Sequence, residues 1–217
     1  MAYDHQEQEQ LEELKSWWKE HGTWVILGVV ACALAFAAYH GWNYYRHTQA
    51  IAAVALYEQL DRVEHAGDRA KVREIASQIV SKFGSTPYGA FAALSAARAS
   101  FEDGDLADAK SRLAWVLENA RQDEIRDIAR LRLAGVLLDE KNHAEALKLV
   151  EEAKPAESMT ALYADLKGDI LLAQRKRAEA RSAYQLALDR SEAASPYRAV
   201  IQLKLDALGG ATPAPRK

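Results

Sequence analysis

The sequence predicts an all-α protein in which a single N-terminal transmembrane helix precedes a solenoid of helical hairpins that ends in a C-terminal capping helix. Two observations support this fold class. One segment near the start is apolar and long enough to span a bilayer, and in the rest of the chain apolar residues recur at three- and four-residue spacing. Gly and Pro fall mostly in short breaks between these periodic segments, which is typical of helices joined by tight turns.

The first element is the apolar segment Thr23–Trp42, which contains no Asp, Glu, Lys or Arg although these residues make up 27% of the chain. On a helix, Trp24 and Trp42 would lie about 27 Å apart, close to the ~30 Å hydrocarbon thickness of a bilayer. More aromatic rings flank the segment, as expected at membrane interfaces: Trp17, Trp18, Tyr39, Tyr44 and Tyr45. We therefore predict a short acidic tail over residues 1–22 and a transmembrane helix over residues 23–45, in contact with the lipid bilayer.

Two other interpretations of this segment compete with a permanent span. A buried helix of a soluble protein seldom stays uncharged over such a length or carries aromatic rings at both ends. A cleavable signal peptide stays open, because Ala33-Leu34-Ala35 and Ala35-Phe36-Ala37 both fit a small-x-small cleavage pattern. Against it, the preceding segment is long and acidic, whereas signal peptides begin with a short basic region.

The orientation of the span does not follow from its flanking charges. Lys15 and Lys19 precede it, Arg46 and Arg62 follow it, and the counts of basic residues are therefore nearly balanced. We predict a cytoplasmic N-terminus and a translocated C-terminal part, the usual arrangement of an N-terminal signal anchor. The single cysteine, Cys32, lies within the span, so no intrachain disulfide can form.

A possible contact face on the span is formed by Ala33, Ala37 and Gly41, which recur at four-residue spacing. Small residues at this spacing let another transmembrane helix approach closely. With so many alanines in the segment such a pattern also arises by chance. It is nevertheless the face at which we predict a transmembrane partner.

The region after the span contains an internal repeat with three copies. Each copy has a small anchor residue, a second small residue twelve positions later, a large residue sixteen positions later and a small or apolar residue nineteen positions later. The copies are Ala97, Ala109, Leu113 and Val116; Ala134, Ala146, Val150 and Ala153; and Gly168, Ala180, Tyr184 and Ala187. Small residues facing each other let two helices approach closely, and the large residue fills the wedge between them, so each copy predicts a helical hairpin.

Turn residues fall where these hairpins need them, and the pattern resembles the tetratricopeptide repeat (TPR) family. Gly104-Asp105 followed by Ala109 matches the turn of that family well, whereas Lys141 and Arg175 stand where glycine is usual, so two turns are degenerate. Upstream, residues 57–66 and 69–83 predict a divergent first hairpin. The predicted TPR-like domain thus covers residues 46–208 and is capped by an amphipathic helix, Pro196–Leu208; residues 209–217 are predicted to be a disordered tail.

Residue patterns that carry chemistry are missing from the sequence. No two histidines have the i, i+4 spacing of a metal-bearing helix, and neither a Walker loop nor GxGxxG or GxSxG occurs. The basic run Arg175-Lys176-Arg177 falls in an exposed turn, and the net charge of −3 argues against nucleic acid as the main partner. We therefore predict no catalytic, metal-binding or cofactor-binding residues, no cofactor, no enzymatic activity and no nucleic-acid partner.

The order of the elements resembles the YfgM family across nearly the whole chain. The motifs that carry this resemblance are Trp17-Trp18-Lys19-Glu20-His21-Gly22, Gly41-Trp42-Asn43-Tyr44-Tyr45, Tyr88-Gly89-Ala90, Leu131-Arg132-Leu133-Ala134 and Ala164-Asp165-Leu166-Lys167-Gly168-Asp169. The resemblance implies a bacterial inner-membrane protein with a periplasmic repeat domain, an ancillary subunit of the Sec translocon. It also implies cooperation with a membrane-anchored periplasmic prolyl isomerase and a part in chaperoning exported client proteins. The alternative is a TPR-type assembly factor for another inner-membrane complex.

A partner-binding groove is predicted on the first helices of the hairpins. Positions −6, −3 and +4 from each anchor define one helix face: Phe91, Leu94 and Phe101; Ile128, Leu131 and Leu138; and Leu162, Asp165 and Leu172. All but Asp165 are apolar, so the face suits an apolar helix or an unfolded segment rather than a terminal carboxylate. The second residue of each set is expected to be the most accessible. The same residues could instead be core residues beneath neighbouring helices.

Overall fold

The computed structural model describes the backbone of residues 3–209 and the side chains of residues 15, 17–45 and 47–209. The described residues form nine α-helices and one short 3-10 helix, Glu157–Met159. The α-helices are α1 (Tyr3–His65), α2 (Arg69–Phe83), α3 (Pro87–Glu102), α4 (Leu106–Asn119), α5 (Asp123–Asp139), α6 (His143–Glu151), α7 (Thr160–Ala173), α8 (Arg177–Arg190) and α9 (Tyr197–Ala207). This confirms the predicted fold class.

The chain divides into two compact units, Met1–Gln49 and Ala50–Lys217. In the part of the chain described, one helical segment, Trp17–His65, is long and apolar enough to cross a membrane. Its large apolar side chains in the first unit are exposed; Trp24, for example, is 76% exposed and Phe36 65% exposed. Such a continuous apolar surface is unfavourable in water, and a lipid bilayer is the environment that would cover it.

In the second unit, each hairpin packs against its neighbours in chain order. Contacts join α2 to α3, α3 to α4, and so on through α8 and α9, and they also join α3 to α5 and α5 to α7. The first helices of successive hairpins therefore lie side by side. This arrangement gives the solenoid one face lined by α3, α5 and α7.

The predicted repeat register is confirmed, because each copy supplies a separate part of the core. Ala97, Leu113 and Val116 lie in one buried cluster, and Ala134, Ala146 and Val150 lie in a second. A third contains Ala180, Tyr184 and Ala187. At the anchor of this third copy, a Cβ added to Gly168 would lie 2.4 Å from Cε1 of Tyr184, a distance that real atoms do not reach. Only glycine fits there without displacing the buried Tyr184 ring.

The divergent first hairpin is formed by the end of α1 and by α2. Leu60 of α1 is 1% exposed and packs in one cluster with Val72, Ile75 and Ile79 of α2. The cluster extends onto α3 through Ala92, Ala96 and Ala99. The apolar residues of this hairpin therefore continue the core of the solenoid by one more layer.

The turns within the hairpins share one backbone conformation, whether or not they contain glycine. Gly67, Gly104, Lys141 and Arg175 all have positive φ, at 74°, 79°, 63° and 64°. In each turn the next N–H reaches back to a helix carbonyl, as the N–H of Asn142 does to Leu137 at 2.8 Å. The missing glycines at 141 and 175 therefore leave the turn geometry intact but place side chains in the left-handed region, where they are strained.

The C-terminal helix α9 covers the end of the solenoid as predicted. Ile201 and Leu205 are 0% and 5% exposed and pack in one cluster with Tyr184 and Ala187. The helix is followed by Gly209, whose φ of 80° is left-handed. Except for Gly209, the predicted disordered tail lies outside the described residues.

Candidate partner-binding groove

The nine predicted groove residues differ widely in exposure. Phe91, Phe101 and Leu172 are 38%, 41% and 37% exposed, so these three present apolar surface to solvent. Ile128, Leu131, Leu138 and Leu162 are half-buried. Ile128 packs against the first-copy cluster, and Leu131 and Leu138 pack against the second. Most of the predicted face therefore contributes to the core as well as to any surface.

The expectation that the second residue of each set is the most accessible is wrong at two of the three positions. Leu94 is 7% exposed and belongs to the first-copy cluster, and Asp165 is 3% exposed. The helix face reasoned from spacing is only partly accessible, because α3 packs against α2, α4 and α5, and α7 packs against α5, α6 and α8. Of the second residues of the three sets, only Leu131 is half-buried rather than buried.

Asp165 belongs to a polar cluster that attaches α9 to α7. Its Oδ2 accepts hydrogen bonds from the hydroxyl of Tyr197 and from Nζ of Lys204, the latter at 2.8 Å. Lys204 also donates to Asp169 at 2.8 Å, and Asp169 accepts a bond from the hydroxyl of Tyr184 at 2.7 Å. Oδ1 of Asp165 is buried without a hydrogen-bond partner in the described structure. This residue therefore serves the capping helix and is unavailable to a partner.

Burial and hydrogen bonding within this cluster shift the pKa values of its tyrosines and of its lysine. Burial raises the pKa of Tyr184 and of Tyr197, and the hydrogen bonds to Asp169 and Asp165 raise them further. Burial by itself would lower the pKa of Lys204, but its bonds to Asp165 and Asp169 outweigh this and raise it. At neutral pH the cluster therefore holds neutral tyrosines and one ammonium between two aspartates.

One cavity on the solenoid face lies between α3 and α5, with α4 beneath it, and has a volume of about 370 Å³. Ala97, Phe101, Leu113 and Val136 give it an apolar interior, and Arg98, Arg132 and Asp139 stand at its edges. Gly135 opens the space between these walls, because an added Cβ there would meet nothing within 4 Å. Of the nine predicted groove residues, only Phe101 lines this cavity.

Sequence reasoning missed Arg132, Gly135 and Asp139 because it followed apolar residues alone. The three share one face of α5 with Val136, at spacings of three, four and seven residues. The signal available in the sequence was a glycine inside a helical pattern, a position that can have a packing or functional reason. In the part of the chain described, no group of three or more His, Cys, Asp or Glu is arranged to hold a metal ion.

A second cavity, of about 500 Å³, continues this face toward the end of α1. Tyr57, Asp61 and Glu64 of α1 line it on one side and Ser95, Arg98 and Glu102 of α3 on the other. Arg98 lines both cavities and is held by Glu102 at 2.8 Å and by Glu64 at 3.9 Å. This second cavity is therefore largely polar, with its arginine already compensated.

In the first unit, the predicted face on the span is open. Ala33, Ala37 and Gly41 are all exposed, and a Cβ added at Gly41 would meet nothing within 4 Å. At the start of the span, the rings of Trp17 and His21 stack with their centroids 5.4 Å apart. The described side chains of this unit thus leave room for a neighbouring helix on the small-residue face.

Comparison with known proteins matches the chain over nearly its whole length. A family model described as a tetratricopeptide repeat-like domain matches residues 15–210. An ancillary SecYEG translocon subunit of Neisseria gonorrhoeae is 31% identical over 96% of this chain and 100% of its own length. Proteins of the same description from Haemophilus influenzae and Escherichia coli are 31% and 26% identical, over 86% and 93% of this chain and 91% and 96% of their own lengths.

Among solved structures, the repeat protein MamA of Desulfovibrio magneticus resembles this chain in fold. A structure of its residues from position 41 onward superimposes with a TM-score of 0.58 at 18% identity, covering 72% of this chain and 83% of that one. At such identity the likeness concerns the arrangement of helices alone.

Proposed function

Because this chain belongs to the YfgM family of tetratricopeptide repeat-like proteins, we propose that it is an ancillary subunit of the Sec translocon, a membrane-anchored scaffold that binds other proteins. The observation that carries this proposal is that the relatives match nearly the whole length of the chain. The relatives named as SecYEG subunits align with both the apolar helix and the repeat unit, 100% of the Neisseria protein being matched. Anchoring would raise the effective concentration of the repeat unit beside the channel from which exported chains emerge.

The finer proposal concerns topology and partners. The N-terminal tail is cytoplasmic, and the repeat unit lies in the periplasm of a bacterial inner membrane. There it aids the chaperoning of exported client proteins together with a membrane-anchored prolyl isomerase. The family resemblance supports these roles, and the fold offers a scaffold surface for them.

Two surfaces have separate tasks in this proposal. The face of Ala33, Ala37 and Gly41 contacts a transmembrane helix of the translocon, since small residues there leave space for close packing. On the repeat unit, the accessible part of the predicted groove binds apolar segments of partner proteins. That part consists of Phe91, Phe101 and Leu172, with the half-buried residues beside them.

Photocrosslinking in intact membranes tests the translocon association. We place p-benzoylphenylalanine at Ala37 and, as a matched control, at Ala35, which points to the opposite side of the same helix. Irradiation should yield an adduct with a SecYEG subunit, identified by antibody, from Ala37 and little from Ala35. Absence of a SecYEG adduct from positions throughout the span and the repeat unit would refute the proposed function.

The orientation is tested with a phosphatase that is active only outside the cytoplasm, fused after Lys217. We expect an active fusion that stays with the membranes after carbonate washing. An inactive fusion would reverse the proposed orientation. A soluble product that begins near Ala38 would instead identify the apolar segment as a cleaved signal.

Substitution at the exposed groove residues tests client binding. Phe91→Ser with Phe101→Ser should weaken crosslinking to partner proteins, because both residues are about two-fifths exposed, and each substitution should lower the melting temperature less than a polar substitution at a fully buried position. Leu94→Ser is the contrasting control, since this buried side chain should destabilise the fold when it is made polar. If the double variant crosslinks as well as wild type, the groove proposal fails.

A further inference from the structure

The cavity between α3 and α5 has a cation at one end and an anion at the other. Arg132 and Asp139 are both on α5 and lie two turns apart, about 10 Å along the helix axis. Gly135 and Val136 lie between them. Neither Arg132 nor Asp139 forms an ion pair with any side chain that the structure describes. Both charges at the rim of this apolar cavity are therefore available to an incoming chain.

The surroundings of Arg132 favour an incoming carboxylate. Partial desolvation at the cavity lowers the pKa of Arg132, the neighbouring charge of Arg98 lowers it further, and the charge of Glu64 partly offsets both. Arg98 itself is paired with Glu102 and Glu64, whereas Arg132 has no ion-pair partner among the described side chains. A carboxylate beside this guanidinium would stabilise it through a bidentate contact.

From this charge order we propose that the cavity binds a helical segment of a partner protein that carries an aliphatic side chain between an acidic and a basic residue two turns apart. The acidic residue pairs with Arg132, the basic residue pairs with Asp139, and the aliphatic side chain enters the apolar space above Gly135. This inference rests on the proposed function, since it specifies the kind of protein segment that the scaffold binds.

Other occupants satisfy the cavity less completely. A C-terminal carboxylate would pair with Arg132 but leave Asp139 without a partner. A lipid chain would fill the apolar space and leave both charges unpaired. A helix whose charges are two turns apart matches the ~10 Å separation along α5, and its aliphatic side chain enters the apolar space between them.

The first experiment uses the full-length protein in lipid nanodiscs and a fluorescently labelled, alanine-based helical peptide. The peptide carries Glu, Leu and Lys at the first, fifth and eighth positions of its central segment. Gly135→Leu should weaken its binding by about tenfold or more, because the new side chain occupies the part of the cavity that the peptide leucine would enter. The fold should persist, since a Cβ at 135 meets nothing within 4 Å. Ala107→Leu, at an exposed alanine of α4, is the control that should bind like wild type.

The second experiment tests the charges in a way that does not depend on peptide direction. Wild type should prefer the peptide with Glu and Lys. Asp139→Arg should prefer a peptide with two Glu residues, and Arg132→Glu should prefer one with two Lys residues. Such matched changes of preference would support the proposal, because loss of folding could not produce them.

Two results with the Glu–Lys peptide would overturn the inference: unchanged binding to Gly135→Leu, or no binding to wild type up to millimolar concentration. Equal binding of all three peptides to wild type would also overturn it. So would equal binding of a peptide that lacks Lys and ends in a free carboxylate after Leu. The crosslink from Ala37 to SecYEG is measured in the same preparations. If the crosslink persists while the peptide results fail, only the cavity proposal is wrong. If the crosslink is absent, the proposed function is wrong.

Discussion

Gly168 and Gly135 occupy adjacent repeat positions on equivalent helices but have opposite surroundings. Gly168 is an anchor of the repeat, and a Cβ there would collide with the ring of Tyr184 at 2.4 Å. Gly135 follows the anchor of the preceding copy by one residue, and a Cβ there would meet nothing within 4 Å. The first glycine lets two helices of one hairpin pack closely, and the second leaves a cavity open between two hairpins.

This contrast extends to the polar residues of the two regions. Near Gly168, Asp165 and Lys204 are paired within the chain and hold the capping helix in place. Beside Gly135, Arg132 and Asp139 have no ion-pair partner among the described side chains. Charges that are paired internally stabilise the end of the solenoid, whereas charges left at a cavity rim favour binding of another chain.

Loss of the buried ion pair should have the largest effect. Lys204→Met removes the ammonium that neutralises Asp165, which is 3% exposed, and leaves an uncompensated carboxylate in the core. We expect a loss of about 3 kcal/mol in the free energy of unfolding, measured by urea denaturation of the full chain in detergent. Lys148→Met, at an exposed pair with Glu152, should change it by less than about 1 kcal/mol. Equal effects of the two substitutions would contradict the proposal that the polar cluster around Asp165 attaches α9 to α7.

Overpacking at Gly168 should have the next largest effect. Gly168→Leu forces a side chain into the space of the buried Tyr184 ring, so we expect a loss of about 1 to 3 kcal/mol. Gly168→Ala should also destabilise, although alanine favours helices, because its Cβ already collides with that ring. The measurement is the thermal unfolding midpoint by circular dichroism. An unchanged midpoint for Gly168→Leu would disprove the packing at this anchor.

Alkaline pH should destabilise the packed region around Gly168, which is formed by α7, α8 and α9. Burial raises the pKa of Tyr163 to about 12 and also raises those of Tyr184 and Tyr197. Their folded-state stabilisation is therefore complete below the unfolded value of 10.0 and is lost as the pH rises through the folded values. One pH unit above the unfolded value, each tyrosine should account for a loss on the order of 1 kcal/mol.

The measurement for this pH dependence is urea denaturation at several values between about pH 7 and pH 11. Tyr197→Phe should reduce the fall in stability above about pH 10, since it removes one phenol that resists ionisation. Between about pH 7 and pH 9 the two proteins should show parallel profiles. A fall of equal size in both proteins above pH 10 would exclude Tyr197 as a contributor.

The packed region was largely predictable from the sequence, because helix packing within a hairpin depends on residues close in the chain. Offsets of twelve and sixteen residues from Gly168 locate Ala180 and Tyr184, and both lie in one buried cluster. The turns were also predictable in position, although Lys141 and Arg175 replace glycine. Their backbones remain left-handed because carbonyls at the helix ends accept the following N–H groups.

The open region, the cavity between α3 and α5 beside Gly135, was not predictable in the same way. Its cavity depends on the angle between successive hairpins, which brings Phe101 of α3 opposite Gly135 of α5. Local spacing does not encode that angle, so the apolar pattern led to Leu94, which is buried. Asp165 was likewise placed in the groove by its spacing along α7. Its burial could not be foreseen, because its partners Tyr197 and Lys204 follow it by 32 and 39 residues.

The smallest expected effect distinguishes the two glycines by sign. Gly135→Ala should raise the free energy of unfolding by about 0.5 to 1 kcal/mol, because alanine loses less backbone entropy in a helix and its Cβ meets open space. Gly168→Ala should lower it in the same assay, although both substitutions add one methyl group within a helix. Urea denaturation of both variants with wild type measures this difference. Destabilisation by Gly135→Ala would mean that the cavity between α3 and α5 is filled by protein, and stabilisation by Gly168→Ala would mean that the α7–α8 contact is loose. Either result would remove the distinction between a packed hairpin and an open site.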